Sequence, residues 1–259
     1  MKKLFVFDLD NTLRSTNLKT ILPNARKLIL EIAQHPDYVL ALATGRGLAK
    51  LDVINDLSNL FKYKILVNGA VILEDDHVIR DYPIDPLLVD EIIKSANNKH
   101  ISVGIVGIEK EVVTVIDQNI KAAFNNFIDR KPIEEPNFHL NNKVYQMWVY
   151  HKDETEIEKE IIAKYDLDIF HWHDGGFDMV SKGVSKANAL LQLKSKYKDY
   201  QVIALGDGHN DLDMIGLADI GIIMENSRWI EAAKGKYQLI GPNVDSDELY
   251  DFLKNNKII

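Results

Sequence analysis

Apolar residues along this chain come in short blocks that break off at polar ones, beginning with Leu4-Phe5-Val6-Phe7, which runs straight into Asp8-Leu9-Asp10-Asn11-Thr12. Similar blocks at Tyr38–Ala43, Ile65–Val67, Val202–Leu205, Ile220–Ile223 and Tyr237–Ile240 read as buried strands, because a strand covered on both faces loses the alternation of a half-solvated one. Between them the apolar spacing turns helical: over Ala25–Ala33 behind Pro23, Leu48–Leu60, Ser185–Tyr197, the stretch up to Leu217, Arg228–Ala233, and from Glu248 onward. Strand and helix in alternation predict an α/β fold whose core is a doubly wound, Rossmann-like parallel sheet.

The middle of the chain follows another pattern. Val71–Leu73 and Val78–Arg80 flank Glu74-Asp75-Asp76-His77 as a hairpin, and Pro83 and Pro86 punctuate its exit. Beyond it the sequence predicts helices over Leu87–Ala96, Ile120–Phe127 and Glu154–Lys164, with a proline-bearing link at Lys131–Pro136. Strands are predicted at Ser102–Val106, Val112–Ile116 and Val144–Tyr150, and a second hairpin joins Ile169–His173 to Phe177–Val180 across Gly175-Gly176. This is the pattern of an inserted α+β domain, residues 83–183, that interrupts a core made of 1–82 and 184–259.

In a parallel sheet all strands end at one edge, the usual ligand position of open α/β folds. Here that edge would carry Asp8 and Asp10, Thr44-Gly45-Arg46, and Gly206-Asp207-Gly208-His209-Asn210-Asp211. If extended backbone persists past Asp8, period-two alternation turns Asp8 and Asp10 to one side, where two like charges invite a hard cation. The plainer reading is a turn held by Asp10-Asn11-Thr12, with Asn210 or Asp211 capping a helix and Thr44 bonding locally.

Composition narrows the partners. The 259 residues are 46% hydrophobic and 27% charged, as in a folded globular protein, and the net charge of −8 offers no general basic field for nucleic acid or an anionic membrane surface. No stretch approaches the ~20 apolar residues of a membrane span, and Asp8 and Asp10 interrupt the N-terminal apolar run too early for a signal peptide. With no cysteine, disulfide and thiolate chemistry are excluded, and a cytoplasmic protein acting on a small molecule is expected.

Taken together and in this order, the motifs resemble those of the haloacid dehalogenase-like (HAD) phosphatase superfamily. The first appears as Asp8-Leu9-Asp10-Asn11-Thr12, the second as Thr44-Gly45-Arg46, the third as Lys186 within Gly183-Val184-Ser185-Lys186, and the fourth as Gly206 to Asp211. A cap between the second and third motifs is similar to that of the Cof-type group, class IIB with a C2 cap. The chain departs from the pattern at Asn11, at Arg14, and at Met224-Glu225-Asn226-Ser227 in place of a glycine-containing loop; Lys182 lies close to Lys186 as a competitor for its role.

The resemblance implies a phosphatase acting on phosphomonoesters of small metabolites, sugar phosphates or similar, through an aspartyl-phosphate. Asp8 would attack phosphorus and Asp10 would serve as acid and base. Thr44, Gly45, Lys186 and Asn210 would bind phosphate, and Asp8, Asp10 (through its carbonyl), Asp207 and Asp211 would bind or support Mg²⁺. Four carboxylates repel a phosphate dianion, so a divalent cation and an ammonium are needed, and an all-oxygen donor set favours Mg²⁺. On the cap, His171, His173 and Asp174 are candidates for substrate contact, His171 and His173 alternating onto one strand face; a transition-metal site there lacks a further ligand. Trp148 and Tyr145 read as packing or as substrate contacts, and His209 as part of its turn. A hexose-phosphate phosphomutase and a non-catalytic phosphate-binding or phospho-acceptor module are the alternatives.

Overall fold

Every residue of the Lys3–Phe7 strand is buried, and its alternation divides two faces between two layers of helices. Leu4 and Val6 join Ala41, Ala43, Ile65, Val202 and Ala204 against Ala189, Leu190, Leu193 and Met214 of the helices Lys186–Lys196 and Leu212–Leu217. Phe5 and Phe7 turn the other way, and Phe5 meets Tyr38 edge-on at 5.3 Å between ring centroids. The Pro23–Gln34 helix, with Ala25, Leu28, Ile29 and Ile32 buried, packs on the Tyr38–Ala43 strand and on the C-terminal helix Leu249–Asn255.

The computed structural model describes residues 1–54, 56–126, 131–151, 159 and 164–259. These fall into two units, one of Met1–Arg46, Lys50–Arg80 and Ser185–Ile259, the other of Gly47–Ala49 and Asp81–Val184. The sheet of the first unit runs in the order Leu239–Gly241, Ile220–Met224, Gln201–Gly206, Lys3–Phe7, Tyr38–Ala43, Tyr63–Leu66, Val71–Glu74, His77–Asp81. Pairing is parallel as far as Tyr63–Leu66 and antiparallel from there to Val71–Glu74. The Lys3–Phe7 strand therefore lies inside the sheet, between two parallel neighbours, and its carboxyl end opens where those of Tyr38–Ala43 and Gln201–Gly206 do.

The second unit is an antiparallel sheet in the order Leu167–His173, Gly176–Ser181, Gln146–Tyr150, Gly104–Val106, Glu111–Val113. One face carries Met147, Val149, Phe177, Met179, Ile105 and Val112 into a core closed by Val89, Ile92 and Ile93 of the Pro86–Asn98 helix. Asp85 caps that helix by accepting from the Leu87 N–H at 2.8 Å. A further helix spans Gln118–Asn126.

Several elements differ from those the pattern predicts. Leu48–Leu60 is not an α-helix; it contains 3₁₀ segments at Leu48–Ile54 and Ser58–Leu60. Its buried apolar positions, Leu51, Ile54 and Leu57, recur every third residue, which suits three residues per turn better than 3.6. Arg228–Ala233 is a run of turns rather than a helix: the Ala233 N–H donates to Trp229 O, the Lys234 N–H to Glu231 O, and the chain turns away near Gly235 at φ 85°. A small ribbon pairs Arg14–Ser15 with Thr20–Ile21 where no element is predicted. The helix predicted over Glu154–Lys164 lies outside the described residues save for 159 and 164.

Gly104 lies flat under the Trp148 indole, so close that a Cβ would overlap the ring. Gly104→Ala should destabilise the chain by about 1–3 kcal/mol, the usual result of overpacking. Urea unfolding followed by tryptophan fluorescence checks this.

Candidate active site

The site grows from strand ends. Past Phe7 the backbone stays registered for one more residue, the Asp8 N–H donating to Leu205 O at 2.9 Å, and the Asp8 side chain is buried at the mouth of the sheet. Across it, Ser185 caps the Lys186–Lys196 helix by accepting from the Asn188 N–H at 3.0 Å, which places Lys186 in the first turn with its side chain directed inward. Lys186 is 1% exposed and donates through Nζ to Asp8 Oδ1 and to Asp211 Oδ1, both at 2.7 Å. The structure thus separates the two candidate lysines: Lys182 is exposed in the second unit and pairs with Asp168 at 2.8 Å.

Asp211 is held on both sides. One oxygen meets Lys186; the other accepts from the N–H groups of Asp207 at 3.1 Å and Gly208 at 2.8 Å, which closes the 206–211 turn around it. Asp207 in turn is steadied through its carbonyl, which accepts from Ser227 Oγ at 2.5 Å. Asn226 of the same loop donates to Asn11 O at 2.9 Å, so Met224–Ser227 braces the first and fourth motifs together.

Asp8, Asp207 and Asp211 each offer a carboxylate oxygen, and these lie within 4.8 Å of one another. Burial and then the charge of Asp211 push Asp8 up to about 7 against the pull of Lys186. Asp207 is likewise driven well above the usual carboxylate range by burial and by Asp8. Burial opposes the Lys186 ammonium, yet Asp211 and Asp8 hold it above its ordinary value. One ammonium does not balance this cluster, and its buried oxygen-only donors fit a hard divalent cation.

Asp10 is placed differently from the alternation argument. The strand stops at Phe7, and Leu9 O accepts from the N–H groups of Leu13 and Arg14 to make a tight turn. The Asp10 carboxylate receives Arg46 as a fork, Nε at 2.5 Å and Nη2 at 2.8 Å, with Arg14 Nη1 at 3.2 Å. Its side chain is thus engaged by guanidinium groups rather than grouped with the other three carboxylates. Thr44 is buried, and its hydroxyl oxygen accepts from the Arg46 N–H at 3.1 Å, the local bond of the plainer reading. Asn210 Nδ2 donates to Asn68 Oδ1 at 2.6 Å, and Gly45 lies against that same Asn68.

Asn68 is a site residue the sequence does not single out, and the contacts of Arg14 and Arg46 with Asp10 and of Ser227 with Asp207 are not visible in it. Asn68 carried a signal, since Asn68-Gly69 closes a strand at the same sheet edge; the Arg14 contact depends on a turn whose shape the sequence does not display. The cap candidates lie in the second unit. A bulge between His171 and His173 interrupts the alternation, leaving the His171 ring 6.1 Å from Phe177 and the His173 ring 5.6 Å from Tyr150, so the two histidines do not share one regular face. Asp174 is exposed in the turn that follows. Trp148 is buried and donates from Nε1 to Glu111 at 3.0 Å, and Tyr145 donates from its hydroxyl to Asp81 at 2.9 Å, so both have structural partners. The His209 ring lies tilted against Trp229, at 4.8 Å between centroids.

A parallel sheet with aspartates at its central strand ends, a buried lysine bridging two of them and an inserted antiparallel unit defines a hydrolase of the HAD type. The chain belongs to the haloacid dehalogenase-like hydrolase family, which it matches over residues 5–253. It is 26% identical over 226 residues to a putative bifunctional phosphatase/peptidyl-prolyl cis-trans isomerase of Streptococcus pyogenes, a match spanning 86% of this chain and 47% of that protein. It is 25% identical over 276 residues to pyridoxal phosphate phosphatase YbhA of Escherichia coli, 99% of each chain. In fold it superposes on the HAD subclass IIB sugar phosphatase BT4131 with a TM-score of 0.86 at 24% identity, covering 100% of both chains. Among the described residues no helix is long and apolar enough to cross a membrane.

The raised pKa values of Asp8 and Asp207 give a pH dependence. A carboxyl whose folded pKa exceeds its unfolded value stabilises the fold below the unfolded pKa, near 3.8, and loses that contribution as pH rises through the folded value, here about 7 for Asp8. In chelator the melting temperature should therefore fall between pH 5 and pH 8, and Mg²⁺ should raise it more at pH 8 than at pH 5. Calorimetry checks this; a flat profile with equal Mg²⁺ shifts contradicts the cluster's assigned state.

Proposed function

We propose that this chain is a cytoplasmic, Mg²⁺-dependent phosphomonoesterase of small metabolites that works through an aspartyl-phosphate on Asp8. The observation that carries the reading is the buried Lys186 ammonium shared by Asp8 and Asp211 beside Asp207. Asp8, Asp207 and the Asp10 carbonyl would hold the cation, which supplies charge compensation for the phosphoryl group when bound; Asp211 and Asn210 would support that arrangement.

The chain's own groups divide the work. Lys186 holds Asp8 in place and presents positive charge to the phosphoryl oxygens, and Thr44, Gly45 and Asn210 bind further oxygens. Asp8 attacks phosphorus in line as the P–O bond to the leaving group breaks, and the leaving oxygen takes a proton from Asp10. Asp10 then removes a proton from the attacking water, and the Asp8–phosphorus linkage breaks to release inorganic phosphate. Before the first step Asp10 must be freed at one oxygen from the Arg46 fork, because a carboxylate receiving donors at both oxygens has no proton directed at the leaving group. The phosphate itself is a fitting new partner for Arg46.

Asp8→Asn replaces the nucleophile at nearly equal volume. It should lower kcat by about 10³-fold or more while the chain still unfolds in one cooperative transition. A phosphate-release assay with Mg²⁺ over a panel including sugar phosphates and pyridoxal phosphate checks this, and retained turnover in Asp8→Asn contradicts the mechanism.

Substrate choice is assigned to the inserted unit, with His171, His173 and Asp174 as recognition candidates. Their replacement by alanine should lower kcat/KM for a preferred metabolite by about tenfold while leaving a small generic phosphoester within about twofold. Equal losses on both substrates would move these residues to catalysis or folding.

A further inference from the structure

One side chain of the first unit, used by none of the steps above, touches two of the motif loops at once. The Tyr63–Leu66 strand leaves the sheet through Val67, Asn68 and Gly69, all at positive φ: 51°, 57° and 105°. For β-branched Val67 this conformation is strained and persists only where its surroundings enforce it. Here they do. The Val67 N–H donates to Arg46 O and the Asn68 N–H to Thr44 O, both at 3.1 Å, and Gly69 backs so closely onto the Ser185 carbonyl that a Cβ would overlap it. The Asn68 side chain is 0% exposed. Its Oδ1 accepts from Asn210 Nδ2 at 2.6 Å and would stand 3.2 Å from a Cβ on Gly45.

Asn68 therefore stands as a strut between Thr44-Gly45 and Asn210-Asp211, while the residue after it rests on the cap of the helix that carries Lys186. We propose that Asn68 is a positioning residue that sets the spacing between the phosphate loop and the loop bearing Asp207 and Asp211, so that phosphate and divalent cation reinforce each other's binding. The inference rests on the phosphatase reading above, but its test does not need turnover. The coupling has a direct physical origin: attraction between bound anion and bound cation falls with their separation, and a strut anchored on an enforced backbone does not follow either loop if it drifts.

Asn68→Gly keeps the left-handed backbone, which glycine adopts freely, and removes the strut. Titration calorimetry with inorganic phosphate, with and without MgCl₂, reads the coupling, and thermal unfolding monitors the fold. In the parent Mg²⁺ should tighten phosphate binding; in Asn68→Gly that enhancement should shrink by about fivefold or more, with cooperative unfolding retained. Asn210→Ala removes the same hydrogen bond from the other side together with Asn210's own phosphate contact, so it should shrink the enhancement at least as much, and adding Asn68→Gly to it should cost little more. An unchanged enhancement in Asn68→Gly, additive losses in the double variant, or loss of cooperative unfolding would each overturn the proposal. A parent chain that shows no Mg²⁺-dependent phosphate binding would overturn the phosphatase reading along with it.

Discussion

The contact on which the site depends is the Lys186 ammonium buried between Asp8 and Asp211. Two carboxylates this close and this dehydrated cannot both stay ionised unaided, and removing one partner of such a set usually costs about 3–5 kcal/mol. Lys186 can serve both only because Ser185 starts its helix at the right place and because the 206–211 turn folds its own N–H groups onto Asp211. Even so Asp8 and Asp207 remain pushed toward their neutral forms. That residual frustration is the physical case for a divalent cation.

Around this contact the protein uses backbone far more than side-chain bulk. Leu205 O sets Asp8, Thr44 O and Arg46 O fasten the Val67-Asn68 turn, and Leu9 O gathers the turn that delivers Arg14 to Asp10. The motifs are distant in sequence, and the parallel sheet brings them to one edge without any of them needing an element of its own. A preorganised arrangement of this kind spends little reorganisation at the moment of reaction, which is where electrostatic catalysis gains most.

The alternation of apolar blocks and helical spacings was enough to read the α/β core, because each block is buried on both faces and so loses its polar positions. Asp8, Lys186, Asp207 and Asp211 were legible for a related reason: they sit at the ends of those blocks or at a capped helix start, where local sequence and tertiary position coincide. Asp10 was legible as a residue and not as a geometry, since its surroundings are set by Arg46 and Arg14 through a turn. Leu48–Leu60 differs from the predicted helix because, with Ala49 and Val53 among its apolar residues, the spacing fits 3.6 residues per turn over a short window, while only every third position, Leu51, Ile54 and Leu57, is buried. The His171 and His173 faces were misread because a bulge, invisible in composition, shifts the register between them.

The proposed mechanism requires that Asp8 become phosphorylated. In Asp10→Asn, given Mg²⁺ and a phosphoester whose leaving group needs no acid, attack should proceed while hydrolysis of the acyl phosphate slows for want of a base. Rapid acid quench and peptide mass spectrometry should then find the phosphoryl group on the segment containing Asp8. Phosphate release with no phosphorylated peptide, or label carried by any other residue, would contradict it.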